Sequence, residues 1–246
     1  MKILISNDDG YNAAGLEALV KELSKVAELV VVAPDRNRSG SSSSLTLNQA
    51  VKVTKVNDSF YYIDGTPTDC VHIALTGLIN FIPDLVVSGI NHGPNMGDDT
   101  IYSGTVAAAL EGYLLNIPSF SISMGSDNPK NFKTAAKVTL ELIKLYNKKK
   151  LSPTLLNINV PDISYDNLKG IEITRLGKRH EAKPAIKDEV KNNETFFWIG
   201  AAGEPKDAGP GTDFNAINND KVSITPIQAD LTDHQNTQNI KEWIKK

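Results

Sequence analysis

The chain has 246 residues, 40% hydrophobic and 22% charged, with a net charge of −3 at pH 7. That balance excludes a disordered chain, and the weakly acidic surface predicts no field for a nucleic-acid polymer. A single cysteine, Cys70, excludes an intramolecular disulfide, no apolar run approaches a membrane span, and the opening run is too short for a signal peptide, so a cytoplasmic setting is expected.

Residues 2–6 read as a buried strand that stops at Asn7-Asp8-Asp9-Gly10. Leu16, Leu19, Val20 and Leu23 recur at helical spacing over 15–26, and Leu29 to Ala33 form a second apolar strand, completing a βαβ opening. A polar loop over 34–44 follows, then strands at 51–56 and 60–63, a helix over 68–78 and a strand at 84–88. After the loop 89–102 come a helix over 104–115, a strand at 119–123, a long helix over 132–148 and the strand 155–160, which is expected to close the sheet. The alternation predicts an α/β, Rossmann-like three-layer sandwich with a mostly parallel sheet, occupying residues 1–160.

From Pro161 the apolar periodicity weakens. Short strands at 171–175, 196–199 and 222–224 and a terminal helix over 236–246 are expected to form a β-hairpin and helix arm, 161–246, that packs on the core or reaches a neighbouring subunit. The charged stretch 177–194 reads as a mobile or solvated loop.

The chemistry lies where strands end. In open α/β sheets ligands bind at the carboxyl edge, which would place Asp8 and Asp9 there. Two adjacent carboxylates repel, and no Lys or Arg lies within three residues on the C-terminal side, so a hard divalent cation such as Mg²⁺ or Mn²⁺ is the expected partner, an Asp-Gly turn being the plain alternative. The loops 36–44 and 89–102 should converge on the same edge, bringing the oxygens and amides of Asn91 and Asn95. Ser103-Gly104-Thr105 opens a helix, where a capping hydroxyl and exposed amides can hold a phosphate. One cation beside a phosphate-binding helix end suggests phosphoryl chemistry.

Other residues have plainer readings. His92 is a loop histidine that could serve as leaving-group acid but more commonly bonds backbone, and Asp233 and His234 brace a turn or a subunit contact. Arg36 and Arg38 either attract phosphate or pair with Asp35, Asp8 or Asp9. Asp98 and Asp99 support the site or are solvated, Cys70 is a packed thiol, and Tyr102 and Phe120 are core residues unless they stack on a base.

These residues, in this order, resemble the SurE survival-protein family of metal-dependent nucleotide phosphatases. The resemblance rests on Ile5 to Gly10, Ala33 to Gly40, Gly65 to Cys70, Ser88 to Gly93, Tyr102 to Thr105 and Leu231 to His234. It implies that Asp8, Asp9, Ser39 and Asn91 bind the divalent cation, and that Asn95, Ser103, Gly104 and Thr105 face the phosphate. It further implies hydrolysis of nucleoside 5′- and 3′-monophosphates, exopolyphosphatase activity in some members, and a homodimer or homotetramer with exchanged C-terminal segments. Asp8, Asp9, Asn95 and Ser103 are then the candidate catalytic residues, with attack by metal-activated water preferred over an aspartyl-phosphate because the acids are not spaced Asp-x-Asp. A nucleotide or phosphate sensor without turnover is the alternative; the same spacing disfavours a glycosyltransferase, and the missing G-x-G-x-x-G disfavours a redox role.

Overall fold

The computed structural model describes residues 1–179, 183–191, 194–200 and 203–245. The chain runs β1 (Lys2–Ser6), α1 (Ala14–Leu23), β2 (Glu28–Pro34), β3 (Val53–Asn57), β4 (Phe60–Ile63), α2 (Pro67–Ile73), β5 (Leu85–Asn91), α3 (Gly104–Leu114), β6 (Ser119–Met124), α4 (Phe132–Lys148) and β7 (Leu155–Val160). It continues through β8 (Ile171–Ile173), β9 (Lys178–Arg179), β10 (Ile186–Lys191), β11 (Glu194–Trp198), β12 (Pro205–Asp207), α5 (Asp213–Asn218), β13 (Val222–Ile227) and α6 (Thr237–Ile244).

The main sheet has the order β3-β4-β2-β1-β5-β6-β7-β13-β8. Pairing is parallel from β4 through β7 and antiparallel at β3–β4 and β7–β13. The central strands are apolar on both faces because both are covered. Ile3, Ile5, Val31, Leu85, Val87, Phe120 and Ile158 pack in one core with Leu16, Leu19 and Leu23 of α1 and Val138 and Ile143 of α4. Leu4, Val30, Val32 and Val86 pack in a second core with Cys70 and Val71 of α2 and Ala108 of α3. These are the three layers the βα alternation predicts. Among the described residues no helix is long and apolar enough to cross a membrane.

Two boundaries differ from the sequence reading. The sheet does not close at β7: β13 pairs antiparallel with it, and β8 pairs parallel with β13. The strand expected at 222–224 is present as β13, but its polar Ser223 and Thr225 hid its place in the main sheet; both are buried because their hydroxyls share hydrogen bonds of 2.7 Å with that of Thr174. The helix expected over 68–78 keeps α-geometry only to Ile73, and residues 74–78 form a wider π-turn. There Thr76 Oγ1 donates to His72 O at 2.7 Å, a backbone bond that favours bending.

The stretch 177–194, expected as a loop, instead holds β9, β10 and the first residue of β11 among the described residues, while 180–182 and 192–193 lie outside them.

Candidate active site

The carboxyl ends of β1, β2 and β5 meet the N-terminus of α3 at Asp8. Leaving β1, Asn7 Nδ2 donates to Gly10 O at 2.8 Å and closes a turn. Gly10 takes φ +104°, and a Cβ there would lie 3.0 Å from the Arg36 backbone, so this turn requires glycine. Asp8 is only 3% exposed. Its backbone oxygen accepts from Arg38 N at 2.7 Å, which anchors the loop after β2, and its Oδ1 accepts from the Thr105 hydroxyl in a short bond. A Cβ at residue 104 would lie 2.8 Å from Asp8 Cβ and 3.0 Å from Ser41 Oγ, so the missing side chain of Gly104 lets the carboxylate and the 36–44 loop lie against the helix. Asp9 Oδ2 accepts from His92 N at 3.1 Å, which adds the loop after β5. The His92 ring lies against Phe132 at the start of α4, centroids 4.7 Å apart.

The electrostatics are unbalanced. Burial pushes the Asp8 carboxyl up to about 6, opposed by the Thr105 bond and reinforced by the charge of Asp9. Burial also raises Asp9, with His92 acting the other way. Among the described residues neither acid forms an ion pair with Lys or Arg: Arg38 bonds Asp35 and Asp64 at 3.2 and 2.7 Å, and Arg36 lies 3.8 and 3.7 Å from the same two acids. A buried and an adjacent half-buried carboxylate, neither paired with Lys or Arg, fit a hard cation.

The surrounding donors agree with that fit. Ser39 donates its hydroxyl to Asn37 Oδ1 at 2.7 Å, which leaves the hydroxyl oxygen as an acceptor. Asn91 Nδ2 donates to Gly93 O at 2.9 Å, which sets the amide so that its Oδ1 is the atom free to accept. Among the described residues no three His, Cys, Asp or Glu side chains cluster, so the donor set is two carboxylates plus neutral oxygens, a set suited to Mg²⁺ or Mn²⁺. At the head of α3, Ser103 Oγ caps the helix by accepting from Val106 N at 3.0 Å and keeps its proton to donate. The amides of Gly104 and Thr105 belong to the first turn, where helix N–H groups lack internal partners.

Hydrogen bonds thus bring Asp8, Asp9, Thr105 and the neighbours of Ser39 and Asn91 together. Asn95, on the same loop as Asn91, is 7% exposed and is anchored to β6 and β7. The sequence reading passed over four kinds of support: Ser41, whose buried hydroxyl lacks a partner beside Gly104; Ser123; Asn157 and Asn159; and Asp213. Asp213 is fully buried; its Oδ2 accepts from Gly97 N at 2.7 Å and its Oδ1 from the amides of Gly177 and Phe214 at 2.9 Å each. The available signal was polar residues at alternate positions of apolar strands, Ser119, Ser121 and Ser123 on β6 and Asn157 and Asn159 on β7.

The remaining candidates fall outside the site. Asp98 and Asp99 both engage Arg179, through its amide and its guanidinium. Asp233 and His234 brace their own turn, the latter against Asp230 at 2.6 Å. Cys70 is fully buried, which holds its thiol well above the usual range. Phe120 is core, but Tyr102 is 66% exposed, because it ends the turn over 97–101 above α3 and meets no second layer.

A family model described as Survival protein SurE matches residues 3–183. The protein named 5'-nucleotidase SurE from Methylobacillus flagellatus is 56% identical over 245 residues, covering 99% of both chains, and its namesake from Nitrosomonas eutropha is 54% identical with the same coverage. The crystal structure of the SurE protein from Aquifex aeolicus superposes with a TM-score of 0.88 at 41% identity, covering 99% of each chain.

Proposed function

From the premise that this chain belongs to the SurE survival-protein family, we propose that it is a divalent-metal-dependent 5'-nucleotidase, which hydrolyses nucleoside 5′-monophosphates, and 3′-monophosphates, to nucleoside and phosphate. The observation that carries this reading is the adjacent pair of buried Asp8 and half-buried Asp9, without a Lys or Arg partner among the described residues, beside the open N-terminus of α3.

In this reading Asp8, Asp9, Ser39 and Asn91 hold one cation per subunit, Mg²⁺ or Mn²⁺. When bound, that cation polarises the phosphoryl oxygen and lowers the pKa of a coordinated water. Ser103, with the amides of Gly104 and Thr105, binds the non-bridging oxygens at the positive end of α3. Asn95 donates to a phosphoryl oxygen as charge builds on it in the transition state. One of Asp8 and Asp9 orients the attacking water as well as holding the metal, and water is favoured as nucleophile because a carboxylate committed to a cation attacks phosphorus poorly. Exopolyphosphatase activity on short chains belongs to the same chemistry, since a terminal phosphoryl group presents the same oxygens.

We propose that residues 1–160 form the catalytic core and that 161–246, beyond adding β13 and β8 to its sheet, supply the contacts of a cytoplasmic homodimer or homotetramer. Supporting this are the exposed apolar side chains of the hairpin, Phe197 59%, Trp198 66% and Ile199 90% exposed, and an α6 that buries none of its residues while presenting Ile240, Trp243 and Ile244.

The test is phosphate release from a panel of nucleoside 5′- and 3′-monophosphates and tripolyphosphate, with Mg²⁺, Mn²⁺ or chelator, for the native enzyme and Asp9→Asn. Turnover that disappears with chelator and with the substitution supports the reading; nucleotide binding without turnover would make the protein a sensor.

A further inference from the structure

We propose that Asn159 is a positioning residue for phosphoryl transfer, which holds Asn95 in place through a reciprocal pair of hydrogen bonds to its backbone. The proposal rests on the reading of Asn95 as a phosphate-contacting residue. Asn159 Oδ1 accepts from Asn95 N at 2.9 Å, and Asn159 Nδ2 donates to Asn95 O at 3.0 Å. One side-chain amide therefore satisfies both backbone groups of one loop residue, as a neighbouring strand would. Asn157 Nδ2 donates to the same carbonyl at 2.8 Å, and Ser121 donates to Asn157 Oδ1 at 3.0 Å, which sets the orientation of that amide from its far end. Asn95 Nδ2 donates to Ser123 Oγ at 2.8 Å, so the side chain is aimed as well as the backbone.

These four supports form a ladder. Ser121 pairs with Asn157 and Ser123 with Asn159 in the β6–β7 register, and all four are fully buried. Buried amides in the interior of a sheet cost stability unless they are hydrogen-bonded, and apolar residues there would build the sheet as well. Their bonds go chiefly to Asn95, whose Oδ1 makes no hydrogen bond among the described residues and whose second amide proton is left to donate. The polar ladder is thus spent on one loop residue. Displacing a group by about 1 Å from its productive position costs up to about a hundredfold in rate, so the clamp has enough leverage to matter.

The test is a double-mutant cycle on phosphate release with Mn²⁺, using Asn95→Ala, Asn159→Leu and the two combined, with Ser123→Ala as a second probe should Asn159→Leu fail to fold. Circular dichroism and urea midpoints confirm folding. Asn159→Leu is expected to lower kcat by about tenfold to a hundredfold in the native background and by no more than about twofold once Asn95 is already alanine. The same fold-loss in both backgrounds, or undiminished turnover by Asn159→Leu or Ser123→Ala beside an impaired Asn95→Ala, would overturn the proposal. Full turnover by Asn95→Ala would overturn the assignment of Asn95 itself, so the two failures are distinct.

Discussion

The hydroxyl of Thr105 donates to the carboxylate of Asp8 across a sequence separation of 97 residues, tying the end of β1 to the first turn of α3. Both residues are buried, so neither bond partner has water as a substitute. A hydrogen bond to a charged group is worth about 1.5–3 kcal/mol, and Thr105→Val should lose about that much stability together with at least about tenfold in kcat/KM, whereas Thr105→Ser should recover most of both. Urea unfolding and phosphate release measure the two effects. A valine variant with native stability and turnover would mean that the contact contributes nothing.

Gly104 is where the site tolerates no side chain. A methyl group would lie 2.8 Å from Asp8 Cβ and 2.9 Å from Asp8 Oδ2, atoms held by the strand end and the Thr105 bond. Alanine is a good helix former, so Gly104→Ala should leave the fold intact while reducing turnover by about a hundredfold and weakening Mn²⁺ binding. Calorimetric titration with Mn²⁺ separates metal loss from misplacement of the phosphate. Native affinity and turnover would show that Asp8 and Ser41 retreat freely.

An uncompensated buried carboxylate costs the metal-free protein stability. Asp8→Asn keeps the acceptor for Thr105 and removes the charge, so in chelator at neutral pH it should melt higher than the native chain, by the equivalent of about 1–2 kcal/mol, while turnover is lost. Adding Mn²⁺ should raise the native melting temperature and leave that of the variant nearly unmoved. A lower metal-free melting temperature for Asp8→Asn would contradict the idea that the site awaits a cation.

The sequence made the three-layer core legible because its strands are apolar on both faces and its helices on one, which is the pattern a covered parallel sheet imposes. The acids at the end of β1 and the cap at Ser103 were legible for a similar reason: their neighbours in sequence are also their neighbours in the fold. Asn159 and Asp213 were not, since each acts on a residue more than fifty positions away and sits inside an otherwise ordinary strand or helix start. The strand at 222–224 was legible, but its place in the main sheet between β7 and β8 was not, because its Ser and Thr side chains are satisfied by Thr174, a contact that no local pattern announces.

Asp213 ties the loop that carries Asn91 and Asn95 to the C-terminal half through Gly97, Gly177 and Phe214. Leaving buried amides unpaired costs about 1–3 kcal/mol each, so Asp213→Ala should destabilise the chain by about 3 kcal/mol or more, and Asp213→Asn by less. Because Gly97 lies two residues from Asn95, the folded fraction of Asp213→Asn should also turn over more slowly. Turnover per folded molecule equal to the native value would confine Asp213 to stability.

Asp162 offers a pH-dependent counterpart on the α4 side of the site. Its carboxylate accepts from Lys130 N at 3.0 and 3.1 Å, from Asn131 N at 2.7 Å and from Asn131 Nδ2 at 3.1 Å, fixing the chain just before Phe132. Burial opposes its ionised form, but the bonds from Lys130 and Asn131 outweigh that and hold the carboxyl below its ordinary 3.8. A folded value below the unfolded one means that the unfolded chain binds more protons in that interval, so this stability is present above 3.8 and is lost as pH falls through the folded value. Asp162→Ala should therefore melt below the native chain at neutral pH, and the gap should narrow once the pH drops under 3.8. Melting temperatures of both proteins across an acid series give the difference directly and cancel the other carboxyls. A gap that stayed constant into strong acid would assign the contribution of Asp162 to packing, because a bond that depends on charge cannot survive protonation of its acceptor.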